Sequence, residues 1–127
     1  MSLHVLIIDD DPLTEDILGR LIRQQGATFT LLTDPLELET ALDSFESIDV
    51  VFVDLEMPML SGYEVLPILQ QRLPETTPIV ACTVHTSEVG VALGLGFQAF
   101  IGKPIDPVKF PDAWQRILSG ERFRMVQ

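Results

Sequence analysis

Residues 4–11 read HVLIIDDD, residues 50–54 read VVFVD and residues 99–104 read AFIGKP. Each is a short apolar run that ends, or nearly ends, on residues able to do chemistry. These are Asp9, Asp10 and Asp11 in the first, Asp54 in the second, and Lys103 with Pro104 in the third. Unbroken apolar runs rich in Val and Ile are the pattern of strands buried on both faces of a parallel sheet. Ligands of open α/β sheets bind outside the carboxyl ends of such strands. Set side by side, these three ends would gather several carboxylates and one lysine around a common point.

Further strand signals at residues 28–33 and 78–83 join those at 4–8, 48–53 and 99–102. Helical patterns fill the intervals. The first opens at Pro12, places Leu13, Ile17, Leu18, Leu21 and Ile22 on one face, and stops near Gly26. The second follows the Asp34-Pro35 cap and stacks Leu38, Ala41, Leu42 and Phe45. The third starts near Gly62 with Leu66 and Leu69 inward; the fourth runs from Ser87 to Leu95; the fifth runs from Pro107 with Phe110, Trp114, Ile117 and Leu118 as its stripe. Strict alternation of strand and helix predicts a doubly wound, five-stranded parallel α/β sheet with five helices. One domain over residues 1–127 is expected, with its core at about 4–119 and residues 120–127 as a tail or the start of a linker.

Composition narrows the function. The net charge is −11, and fourteen of the nineteen acids lie in residues 1–64, together with only Arg20 and Arg23 among the bases. Such a chain lacks the footprint of direct nucleic-acid binding. No apolar run is long enough to span a membrane. The single cysteine, Cys82, reads as a buried small hydrophobe, and a reducing cytoplasm is its natural setting.

Taken singly, Asp54 is a strand-end cap and Asp9-Asp10 a solvated acidic turn. Together at adjacent strand ends they would repel unless a divalent cation sat among them, and Mg²⁺ suits such oxygen donors. A carboxylate beside Mg²⁺ and Lys103 can act as a nucleophile toward a phosphoryl group, and Thr83 offers a hydroxyl to its oxygens.

With these pieces in order, the chain resembles a response-regulator receiver domain of the two-component, CheY-like type. The motifs are VLIIDDDP, VDLEMPMLSGYEVL, PIVACT and AFIGKP, with Pro58 and Gly62 four and eight residues after Asp54. The resemblance implies a flavodoxin-like (βα)5 fold with strand order 2-1-3-4-5 and Asp54 as phosphoacceptor. It implies Mg²⁺, or Mn²⁺, held by Asp10, Asp54 and the Glu56 backbone carbonyl, with Asp9 assisting indirectly. Thr83 and Lys103 would hold phosphoryl oxygens, Thr83 and Phe100 would act as the switch, and Lys103-Pro104 would be a cis peptide. The donor would be a sensor histidine kinase or a histidine phosphotransfer protein. The only chemistry expected of the chain itself is its own Mg²⁺-dependent phosphorylation and dephosphorylation. Departures from the family pattern at Val84, His85 and Phe97 leave the site intact, and with Glu56 they bear on the lifetime of the phosphorylated state.

Two alternatives differ in class. A haloacid-dehalogenase-like phosphatase would use Asp9 and Asp11, but Leu13 stands where that family has Thr or Val and no later acidic pair follows. A receiver-fold interaction module without phosphotransfer would not need Asp10, Asp54, Thr83 and Lys103 together. A P-loop is absent. The fourth helix turns Val89, Ala92 and Leu93 inward and Val91 and Leu95 outward. Helix 4, strand 5 and helix 5 are thus expected to form a phosphorylation-dependent dimer or partner face, with Val91, Leu95 and Phe97 at its centre.

Overall fold

Residues 2–126 are described by a computed structural model, so Met1 and Gln127, at the ends of the expected domain, lie outside it. The strands are β1 (His4–Ile8), β2 (Thr28–Leu32), β3 (Val50–Val53), β4 (Ile79–Thr83), β5 (Ala99–Gly102) and β6 (Phe123–Met125). All pairings are parallel, and the order is β2-β1-β3-β4-β5-β6. The helices are α1 (Arg20–Gln24), α2 (Leu38–Leu42), α3 (Gly62–Arg72), α4 (Val89–Leu95) and α5 (Phe110–Leu118). This is the doubly wound, flavodoxin-like arrangement, with one strand more than expected.

The period of two along each strand divides the core. Val5, Ile7, Val50, Phe52, Val80, Cys82, Ala99 and Ile101 face α1 and α5, where they meet Leu18, Ile22, Phe110 and Trp114. Leu6, Ile8, Val51, Val53, Ile79, Ala81 and Phe100 face the other way, onto Leu38, Leu42, Val65, Leu66, Leu69 and Ala92. Ser61 and Glu64 form a reciprocal capping box at the start of α3, a device that satisfies two orphan donors. His4, given no chemistry, is structural: its ring nitrogens reach Thr28 Oγ1 at 2.7 Å and Thr30 Oγ1 at 2.8 Å.

Three expectations fail. Leu118 of the expected α5 stripe is exposed, at 39 %, and two others fail for identifiable reasons. Leu13 and Ile17 are exposed, at 63 % and 55 %. Glu15–Gly19 is wound as a π-helical turn ahead of α1, so its wider spacing carries these residues off the face that a 3.6-residue period predicts. The tail is the second. Residues beyond Gly120 turn back, with Gly120 at φ +81°, and add β6 to the outer edge of β5. Phe123 is buried beneath the Arg116 guanidinium, 4.3 Å from its ring centre. Arg122 Nη2 donates to the Leu93 carbonyl of α4 at 2.9 Å. Gln98 Nε2 donates to the carbonyls of Ile117 and Glu121 at 3.1 and 3.2 Å. The segment is a strand because it has an apolar anchor and an unpaired edge to fill, neither of which shows as a periodic pattern in so short a run.

Because Phe123 belongs to the core, Phe123→Ala should cost about 3 kcal/mol, as aromatic-to-alanine changes in cores do. A chain ending at Ser119 should lose at least as much. Urea unfolding monitored by Trp114 fluorescence measures both, and an unchanged midpoint would show β6 to be ornamental.

Candidate functional site

Parallel register places the chemistry. Ile8 pairs with Val53, Val53 with Ala81, and Thr83 with Gly102, so the loops after β1, β3, β4 and β5 open at one edge. Backbone bonds then hold them: Asp9 N–H to the Leu32 carbonyl at 3.1 Å, Asp54 N–H to Ile8 at 2.9 Å, and Lys103 N–H to Thr83 at 2.8 Å. Oxygen atoms of Asp9, Asp10 and Asp54 all lie within 4.8 Å of one another. Asp10 is exposed, Asp54 half-buried and Asp9 only 2 % exposed.

Lys103 joins the cluster from β5. Its Nζ is 2.6 Å from Asp9 Oδ2 and 3.5 Å from Asp54 Oδ2, so the lysine is held mainly by Asp9. The Lys103-Pro104 peptide is cis. Burial disfavours the charged form of Lys103, but the Asp9 hydrogen bond and the nearby carboxylates outweigh it and raise its pKa. Asp54 is raised from the usual carboxylate value, chiefly by burial and further by Asp9. Lys103, the Glu56 backbone N–H and the Thr83 hydroxyl pull it back only in part. The Glu56 N–H donates to Asp54 Oδ1 at 3.2 Å.

Thr83 and Phe100 are fully buried. Thr83 Oγ1 accepts the His85 backbone N–H at 3.3 Å. Phe100 already lies inward, among the residues that face α3 and α4. Val84 is exposed, and His85 Nε2 stands 2.8 Å from Glu56 Oε2. Gly62 sits where no side chain fits: a Cβ there would lie 2.5 Å from the Asp54 carbonyl oxygen and 2.8 Å from Leu55 Cα. That close approach lets α3 begin directly beneath the Asp54 loop. Cys82, one residue before Thr83, is buried and free; burial pushes its thiol up to about 12, so it is an inert core group.

On α4, Val91 and Leu95 are exposed as expected, but Phe97 is not. It is 0 % exposed and meets Tyr63 edge-on, with ring centres 6.3 Å apart. The chain leaves α4 at Gly96, with φ +121°, and that turn drives Phe97 into the core. It must therefore be removed from any surface patch. β5 is likewise closed at its outer edge by β6. The site residue that sequence reasoning missed is Thr14, whose hydroxyl donates to Asp9 Oδ2 at 2.7 Å. It lies in a stretch with no motif and looked like an ordinary helix-start residue.

A parallel sheet edge carrying three carboxylates, a lysine and a buried threonine defines the receiver class of signalling domains. A family model for the response regulator receiver domain matches residues 5–115. The DNA-binding response regulator MtrA of Mycolicibacterium smegmatis is 32% identical over 109 residues, covering 84% of this chain and 46% of that protein. The chain thus spans about half of that relative. Among solved structures, chemotaxis protein CheY4 of Vibrio cholerae superposes with a TM-score of 0.80 at 22% identity, covering 93% of this chain and 100% of that one. The receiver domain of the Pseudomonas aeruginosa sensor histidine kinase PA1611, which carries a magnesium ion in its active site cleft, gives 0.78 at 20% identity, covering 94% and 99%. The chain belongs to the response regulator receiver domain family, the CheY-like domains of two-component signalling. Among the described residues no helix is long and apolar enough to cross a membrane.

A carboxylate whose folded pKa lies above its unfolded value destabilises the fold at every pH above the folded pKa. The penalty vanishes below the unfolded value. Without divalent metal, Asp54→Asn should therefore raise the unfolding temperature at neutral pH, and the gain should disappear in acid. Thermal melts of both proteins in EDTA across the acid range check this; a loss of stability at neutral pH would contradict it.

Proposed function

We propose that Asp54 accepts a phosphoryl group from a histidine kinase or a histidine phosphotransfer protein in a reaction that requires Mg²⁺ or Mn²⁺. The observation that carries this reading is the cluster itself. Asp54 combines a raised pKa, a lysine ammonium at 3.5 Å and two further carboxylates within 4.8 Å. The hard oxygen donors suit Mg²⁺ or Mn²⁺. Asp10, Asp54 and the Glu56 carbonyl would hold the ion, with Asp9 acting indirectly. When bound, the ion neutralises charge on the phosphoryl oxygens. An Asp54 oxygen attacks phosphorus while the donor's P–N bond breaks, its electron pair leaving with the imidazole, which takes up a proton. Lys103 and Thr83 hold the equatorial oxygens.

Thr83 then moves toward the new phosphoryl group. Ala81, two residues before Thr83, pairs with Phe100, whose ring lies inward on the same sheet face; in this reading Thr83 and Phe100 form the switch. The surface that reads it is centred on Val91 and Leu95, and it serves a second copy of the chain or a downstream protein through α4 and the β5–α5 region. The exposed Leu13 and Ile17 border a cleft of about 180 Å³ that also touches Lys103 and Pro104. An apolar rim beside the site suits a helix of the phosphodonor. The net charge of −11 gives no support to direct DNA contact. We read residues 1–127 as one receiver domain acting in the cytoplasm.

Incubation with acetyl phosphate and Mg²⁺ should add one base-labile phosphoryl group to the wild type and none to Asp54→Asn, by intact-mass spectrometry. Labelling of the Asn variant to the same extent would remove Asp54 from the role. Asp10→Ala should weaken Mg²⁺ binding.

Lifetime is a separate matter. Val84 is exposed next to Thr83, and His85 pairs with Glu56, two residues after Asp54; in this reading they shield the phosphoryl group from an attacking water. Val84→Ala should therefore shorten the phosphoryl half-life, read by the same mass assay after donor removal. An equal or longer half-life would refute the shielding.

A further inference from the structure

Thr14 is only 7 % exposed, and a buried hydroxyl needs a partner. Its Oγ1 donates to Asp9 Oδ2 at 2.7 Å, the oxygen that also accepts Lys103 Nζ at 2.6 Å. The other oxygen, Oδ1, accepts the Asp11 backbone N–H at 3.0 Å. A carboxylate offers about four lone-pair sites, so protein donors claim three of those on Asp9. The turn that presents the hydroxyl is itself fixed, with the Thr14 N–H donating to the Asp11 carbonyl at 3.1 Å.

Lys103 and the Asp11 N–H, one donor to each oxygen, orient this carboxylate less firmly than three donors do. An ammonium on a flexible stem is a point charge with rotatable donors, and it would follow Asp9 through a rotation of the carboxylate plane. Donors on both oxygens, coming from three directions, define that plane. Lys103 in turn takes its position from Asp9, since it sits closer to Asp9 than to Asp54.

We propose that Thr14 is a positioning residue of this site. Its hydroxyl locks the Asp9 carboxylate so that Asp9 holds Lys103 and leaves direct metal coordination to Asp10 and Asp54. The proposal deepens the reading of Asp54 as a Mg²⁺-dependent phosphoacceptor and rests on it. Without the hydroxyl, only Lys103 and the Asp11 N–H restrain Asp9, and the carboxylate can swing further toward the cluster, drawing Lys103 with it and disturbing the oxygen set offered to the ion.

The test compares the full chain as wild type, Thr14→Val and Thr14→Ser, with Thr14→Ala standing in should the valine variant fail to fold. Calorimetric titration with Mg²⁺ alone should show the dissociation constant raised by up to about tenfold in Thr14→Val, the low end of the scale for groups supporting a metal site, because Thr14 acts one step further out, through Asp9. Thr14→Ser, which keeps the hydroxyl, should bind like the wild type. At saturating Mg²⁺ the valine variant should still be labelled more slowly by acetyl phosphate, because added metal does not restore Lys103. Urea unfolding in EDTA reports whether each variant is folded. Wild-type Mg²⁺ affinity and labelling in the valine variant, or equal impairment in the serine variant, would overturn the assignment. A wild type that binds no Mg²⁺ and takes no phosphoryl group would instead overturn the phosphoacceptor reading, and Thr14's role with it. The two failures are thus distinguishable.

Discussion

A carboxylate buried to the extent of Asp9 is stable in its charged form only if donors surround it, and much of the site follows from meeting that need. The donors come from three parts of the chain: Asp11 from the following turn, Thr14 from the start of the helical turn, and Lys103 from the end of β5, ninety-four residues away. The Asp9–Lys103 pair closes the sheet edge between β1 and β5 across β3 and β4. It also sets the lysine within reach of Asp54 without giving Asp54 a full partner. Asp54 keeps a pKa raised by burial and by Asp9.

The acidic bias of residues 1–64 has a local meaning. Asp9, Asp10 and Asp54 crowd one edge, and one lysine cannot balance them. Uncompensated carboxylates of this kind draw in a hard divalent cation. The Glu56 and His85 side chains, two residues after Asp54 and Thr83, pair at 2.8 Å.

Farther from the cluster, the α4 region is joined to the rest by few polar ties among the described residues. Gly90 and Gly94 face open space, and glycine costs about 1 kcal/mol relative to alanine in a helix. The Arg122 bond to the Leu93 carbonyl anchors α4 to the C-terminal strand. At Gly102 the lack of a side chain brings together the Thr86 methyl and Val126, both about 3 Å from where a Cβ would stand. The loop after β4, the end of β5 and the C-terminal segment therefore meet at one point, one residue from Lys103.

The sequence by itself determined the alternation of strands and helices, because burial on both faces writes unbroken apolar runs and amphipathic helices write a 3.6-residue period. It also marked Asp9, Asp10, Asp54, Thr83 and Lys103, because each ends or follows such a run at a fixed place. Tertiary structure decided the rest. The period of a helix does not announce a π-helical turn, so Leu13 and Ile17 came out exposed. Phe97 carries no sign of its direction until Gly96 turns the chain. β6 exists because β5 had an edge to pair and Phe123 a pocket to fill. Thr14 became part of the site only when a buried carboxylate five residues earlier needed a donor. Local pattern encodes which surface an element buries; which side chain satisfies a distant buried charge is settled only when the elements meet.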